Sequence, residues 1–119
     1  MDNQKLIDMT IFQAVQDIRQ MIITRNVAAY QNDENYTYDR DIDCRKIRKQ
    51  DAAIISYAIR DLYTMAVIEK PSPYYADLVN RCINESLPYT DISFEAIKKF
   101  AEERKKEVDD FNQNYERQP

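Results

Sequence analysis

The sequence predicts an all-α fold, an antiparallel up-down four-helix bundle. Two long N-terminal helices, a short third helix and a long C-terminal helix make up a single domain over residues 1–119. Three observations carry this. Apolar residues recur with a helical period almost throughout. Not one of the 119 residues is glycine, so tight hairpin turns and phosphate-cradling loops lose their usual residue. The breaks in the period fall on prolines and on clusters of Asp, Asn and Ser, which stop helices or cap them.

The first helix is expected over about 3–31. Ile7, Ile11, Val15, Ile18, Ile22 and Val27 form one stripe, widened by Ala14 and Met21. Asp2 is placed to cap its first amides. The stretch NDENYTYDR, 32–40, has no period and reads as the first connection. The second helix is expected over about 42–69, capped by Asp39 or Asp41. Its stripe is Ile47, Ile54, Ile55, Ala58, Ile59, Leu62, Met65 and Ala66. Pro71 ends it, because a proline pushes the preceding residue out of the α region.

Ser72-Pro73 reads as a hydroxyl N-cap followed by proline at the first helical position. It opens a third helix over about 73–86 whose inner face is Tyr75, Leu78, Val79, Cys82 and Ile83. Leu87-Pro88 closes it. Ser93 is expected to cap the fourth helix, about 94–116, with Ile92 and Ile97 as a hydrophobic staple. The stripe of that helix continues through Phe100, Ala101, the stem of Arg104, Val108, Phe111 and Tyr115.

Helix lengths add a detail. At 1.5 Å per residue the first two helices are each roughly 43 Å long and the third roughly 21 Å. The third then stops about halfway along the second. The distal half of the first hairpin projects, and helix four overshoots the opposite end. Such uncovered apolar faces predict self-association as a homodimer or cover by a partner.

Composition excludes more than it assigns. An apolar fraction of 44% with 32% charged residues is globular. The net charge of −4, from 21 acids against 17 bases, gives no general attraction to nucleic acid. No apolar run is long enough to span a membrane. The polar start and two cysteines, Cys44 and Cys82, make the cytoplasm the expected compartment. Fourteen Ile against four Leu, with nine Tyr, is a usage that accompanies AT-rich genomes, among them those of many phages.

No histidine is present, so Ser-His-Asp and Cys-His catalytic arrangements cannot be built. Histidine-containing zinc sites are equally excluded, and two cysteines fall short of a four-cysteine site. Asp39, Asp41 and Asp43 match the opening of a calcium loop, which then fails at Cys44, where glycine is needed, and at Gln50, where glutamate is needed. Glu102, Glu103, Glu107, Asp109 and Asp110 sit on an outer face among lysines. Asp17, Asp61 and Glu69 are isolated. No pair of inward-facing acids on two helices is evident. The expectation is a non-enzyme with no cofactor and no metal.

The densest like-charge feature is Arg40, Arg45, Lys46, Arg48 and Lys49. Tyr30, Tyr36 and Tyr38 fall toward the same end of the up-down arrangement, with Tyr89 at the neighbouring connection. Tyrosine and arginine are enriched at binding hot spots. The leading expectation is therefore an interaction protein that binds or inhibits another protein or complex, of the kind phages and mobile elements encode. One alternative is nucleic-acid binding through 40–49, with basic side chains on phosphates and tyrosines on bases. A further alternative is a helical nucleotide-binding protein or hydrolase that uses carboxylates and a divalent ion.

Overall fold

The computed structural model describes residues 2–31 and 49–117, and the side chains of 2–25 and 49–114. The chain forms a four-helix bundle, and the described residues contain no strand. Helix α1 is Asn3–Gln31, α2 is Lys49–Glu69, α3 is Pro73–Ser86 and α4 is Phe94–Arg117. A 3-10 turn, Leu87–Tyr89, follows α3. The stretch predicted to begin the second helix at 42–48 lies outside the described residues, as do Asp39 and Asp41, its predicted caps.

The ends of the helices follow from local chemistry. Asp2 accepts the Gln4 amide at 3.0 Å, and Ser93 accepts the Ala96 amide at 3.1 Å, each satisfying an otherwise orphaned donor of a first turn. Pro71 forces Lys70 out of the right-handed region, and Lys70 takes φ 53°. Glycine normally fills such a position after a helix. Here a lysine fills it, held by its amide donating to Ala66 O at 3.0 Å and its carbonyl accepting from Gln4 at 3.3 Å.

Chain direction alternates. The Arg25–Asp51 pair at one end and the Gln4–Lys70 bond at the other make α1 and α2 antiparallel. Asp8 meets Ser72 while Arg19 meets Glu85, so α1 and α3 run parallel. Ser56 accepts the Asp91 amide and Arg60 lies over Phe100, so α2 and α4 run parallel. The bundle is not a square of sequential neighbours. Helix α2 is the hub, with α1, α3 and α4 all packed on it, and α1 also packs on α3. Helices α3 and α4 make only marginal contact.

The core is Ile11, Val15 and Ile18 of α1, Ile55, Ile59 and Leu62 of α2, Leu78, Val79, Cys82 and Ile83 of α3, and Ile97 of α4. Each fully buried aliphatic side chain contributes about 1.5–3 kcal/mol. Tyr63 of α2 and Phe94 of α4 add an edge-to-face ring contact, centroids 5.5 Å apart. With three neighbours, α2 exposes only Ile54, Tyr57 and Asp61 along 51–68. Buried Ser56 and Thr64 on α2 return their hydroxyls to the carbonyls four residues earlier, at 2.7 and 2.8 Å.

Four sequence expectations are corrected. Ile54 was placed in the α2 stripe but is 41% exposed, because the three neighbours leave open the one strip on which it stands. The stem of Arg104 was placed inward, yet Arg104 is exposed and pairs with Glu107 at 3.1 Å. Phe111 is 69% exposed. Both stand near or beyond the level at which α2 ends, so the stripe of α4 outlasts the helix it packs on. The Ser72 hydroxyl accepts no amide of α3; it is turned toward Asp8 and donates to its Oδ2. The two length-based expectations fit this geometry. Arg19 lies level with Glu85, so residues 20–31 of α1 run on past the end of α3, and α4 continues past the α2 terminus.

Ile59→Ala should lower unfolding stability by about 3 kcal/mol, because it opens a cavity at the junction of the helices. Ile54→Ala should cost under about 1 kcal/mol. Urea melts of the two variants give the comparison. Lys70→Gly should raise stability by about 1 kcal/mol by removing the left-handed penalty, and Lys70→Ala should not.

Candidate interaction surface

Two acids that the sequence reading did not single out point inward. Asp8 is 8% exposed and Asp51 2% exposed. They sit on different helices but at opposite ends of the α1–α2 pair, so they do not form a carboxylate pair. Each answers a local electrostatic need. Asp51 accepts a charge-assisted hydrogen bond from Arg25 at 2.6 Å and ties the projecting half of α1 to α2. Both Asp8 and Arg25 lie within the apolar stripe of α1, and that placement was the available signal for both.

Asp8 clasps the start of α3. Its Oδ1 accepts the Ser72 amide at 2.8 Å and Gln4 Nε2 at 3.0 Å, and its Oδ2 accepts the Ser72 hydroxyl at 2.5 Å. Burial pushes the Asp8 carboxyl up, but the hydrogen bonds from Ser72 and Gln4 together outweigh it and leave it below the ordinary carboxylate range. The clasp is fully occupied by the protein's own donors, which suits fold closure rather than ligand capture.

Cys82 is a buried free thiol. Burial pushes it above the ordinary thiol range, and the Ser86 hydroxyl and the Arg19 charge lower it only in part. A thiol so placed is a poor nucleophile. Cys44 lies outside the described residues. Among the described residues, no group of three or more Cys, Asp or Glu could hold a metal ion. No helix there is long and apolar enough to cross a membrane.

Of the predicted binding residues, Tyr36, Tyr38, Arg40, Arg45, Lys46 and Arg48 lie outside the described residues, as does the Tyr30 side chain. Lys49 is exposed at the first described position of α2. Tyr89 is half-buried and packs against the core from the 3-10 turn.

The surface that stands out is the outward side of α1. Leu6, Met9, Phe12 and Ile23 are 52%, 58%, 45% and 56% exposed. Between them lie the exposed Thr10, Gln13, Asp17 and Gln20. Below Leu6 a cavity of about 240 Å³ is lined by Leu6, Ile7, Thr10, Met65 and Glu69. A shallow depression beside it, of about 480 Å³, is lined by Leu6, Met9, Thr10, Gln13, Ala14 and Asp17. Across α2, a further cavity of about 440 Å³ is bounded by Arg60, Met65, Ile68, Glu69, Phe100 and Arg104, with Asp61 and Thr64. There Arg60 holds its guanidinium 4.0 Å from the Phe100 centroid and pairs with Asp61 at 3.1 Å. Helix α4 has the opposite surface, with Glu95, Lys98, Lys99, Glu102, Glu103 and Lys106 all exposed. Neither a protein-family model, nor a curated protein, nor a solved structure matches this chain.

The folded-state pKa of Asp8 lies below its unfolded value near about 3.9. Its contribution to stability is therefore present above pH ~4 and lost as pH falls through the folded pKa. Asp8→Asn should be less stable than the parent at pH 7, and the gap should close as melts are repeated from pH ~4 downward.

Proposed function

We propose that this chain is a non-enzymatic helical interaction protein that binds another macromolecule, a protein or protein complex, through the outward face of α1. The observation that carries the reading is the quartet Leu6, Met9, Phe12 and Ile23, each about half exposed on a helix whose other side is already buried. A helix apolar on both sides is usually covered on both. Contiguous exposed apolar patches on a small protein mark contact surfaces. Two of the four carry particular weight. Met9 is unbranched and adapts to an uneven partner surface. Phe12 supplies a rigid aromatic anchor of the type that dominates binding energy. The inhibitor or accessory role typical of phage and mobile-element proteins is the form of this reading that the composition favours.

The experiment is capture of partners from the source cell with tagged protein, repeated with Met9→Lys and Phe12→Lys. The variants should capture the same partner at least about tenfold less well. Their melting should stay within about 0.5 kcal/mol of the parent, because both side chains face outward. Undiminished capture by both variants overturns the surface. If Arg45→Ala and Arg48→Ala abolish capture instead, the contact belongs to the basic segment. Loss of that contact with added salt would identify the partner as nucleic acid.

A further inference from the structure

Helix α4 carries a second surface, separate from the α1 face. Its first half is fixed to α2 by Ile97 and Ala101, both fully buried, and by Phe94 against Tyr63. Phe100 and Arg104 line the cavity that ends at Glu69, the last residue of α2. From there α4 runs on to Arg117 with no further turn of α2 beside it.

Along this stretch the residues at 100, 104, 107 and 111 recur at four-three-four spacing. At 3.6 residues per turn that spacing keeps them within ~60° of one another on one side of the helix. They read Phe, Arg, Glu, Phe. Arg104 and Glu107 have side chains 59% and 67% exposed, and Phe111 is 69% exposed. The order is self-complementary. Reversed about the midpoint between Arg104 and Glu107, each aromatic meets an aromatic and each charge meets its opposite. Lys105 and Lys106, at the midpoint in sequence, point away from this side of the helix.

We infer that the α4 stretch Phe100–Arg104–Glu107–Phe111 is a self-docking seam on which a second copy of this chain lies antiparallel across a two-fold axis. Phe100 then meets Phe111 of the second copy at the mouth of the α2–α4 cavity, over Met65 and Ile68. Arg104 meets Glu107 of the second copy, and the same contacts recur across the axis, as an isologous interface requires. The Arg104–Glu107 bond within one chain spans 3.1 Å at the surface. An exposed pair of this kind contributes little by itself, so it exchanges partners at small cost. The seam is about 16 Å long at the helical rise. It therefore buries less than the ~800 Å² per partner of a standard interface, and the dimer depends on concentration.

Sedimentation equilibrium from about 5 to about 500 micromolar tests this, because mass action shifts a weak dimer over such a range. The parent chain should move from one chain mass toward two. Arg104→Glu alone and Glu107→Arg alone should each remain one chain, because every contact then sets like charges together. The double variant R104E/E107R should dimerise again. An equimolar mixture of the two single variants should associate, because each contact across that mixed pair joins an acid to a guanidinium. Circular dichroism should show all of these chains equally helical. A parent chain of single mass throughout overturns the inference. So do single variants that dimerise like the parent, and so does failure of the double variant or the mixture to associate.

Discussion

Everything in this bundle depends on α2 finding cover on nearly its whole circumference. Its sequence is apolar on more than one side, and an apolar helix surface left in water costs roughly 25 cal/mol for every Å². One neighbouring helix cannot shield it. Three do, and along 51–68 they leave only the strip of Ile54, Tyr57 and Asp61 open. That demand explains why α4 settles on α2 and hardly touches α3, its neighbour in sequence. It also explains why the parallel pairs α1–α3 and α2–α4 pack directly on one another, which alternation of direction alone does not require. The polar contacts then fix the level of each helix against the next. The Asp8–Ser72 clasp, the Arg25–Asp51 pair and the Ser56–Asp91 bond all link residues distant in sequence.

How much of this was legible in the chain depends on what kind of signal each part leaves. Period and breakers mark where a helix begins and which face it buries. Asp2, Ser93 and Pro71 place three helix ends for that reason, and the stripe of α1 from Ile7 to Ile22 and that of α3 correspond to the buried faces, while the Val27 side chain lies outside the described residues. Period does not say which neighbour a face meets. Ile54 reads as core because it belongs to the apolar set of α2. Only the positions of three other helices decide that its strip is the open one. Phe111 continues the α4 stripe faithfully, but no sequence pattern records that α2 has already stopped.

Polar residues were harder still. A serine before a proline usually caps its own helix by accepting one of its first amides, but the Ser72 hydroxyl is turned toward Asp8 and donates to it. The carboxylate of Asp8 fixes that orientation because it accepts both the hydroxyl and the amide of Ser72. Asp8 and Arg25 interrupt an otherwise apolar stripe, a local inconsistency of the kind that marks a specific partner. The exposed side of α1 was missed for the opposite reason. Leu6, Met9, Phe12 and Ile23 fall outside the principal stripe, and with one stripe already assigned, a second set on the same helix reads as background.

The single-sided attachment of α4 has a consequence for how the molecule opens. Helices α1, α2 and α3 each touch the other two, so none can leave without breaking two faces. Helix α4 packs mainly on α2, through one face and over half of its length. Regions with few buried contacts open with the smallest free energies and exchange their amide hydrogens first. The half of α4 that runs past the end of α2 is such a region, whereas its first half shares with α2 the most extensive contact of any two helices. Opening therefore starts in the second half of α4 and leaves the cover that its first half gives α2 in place.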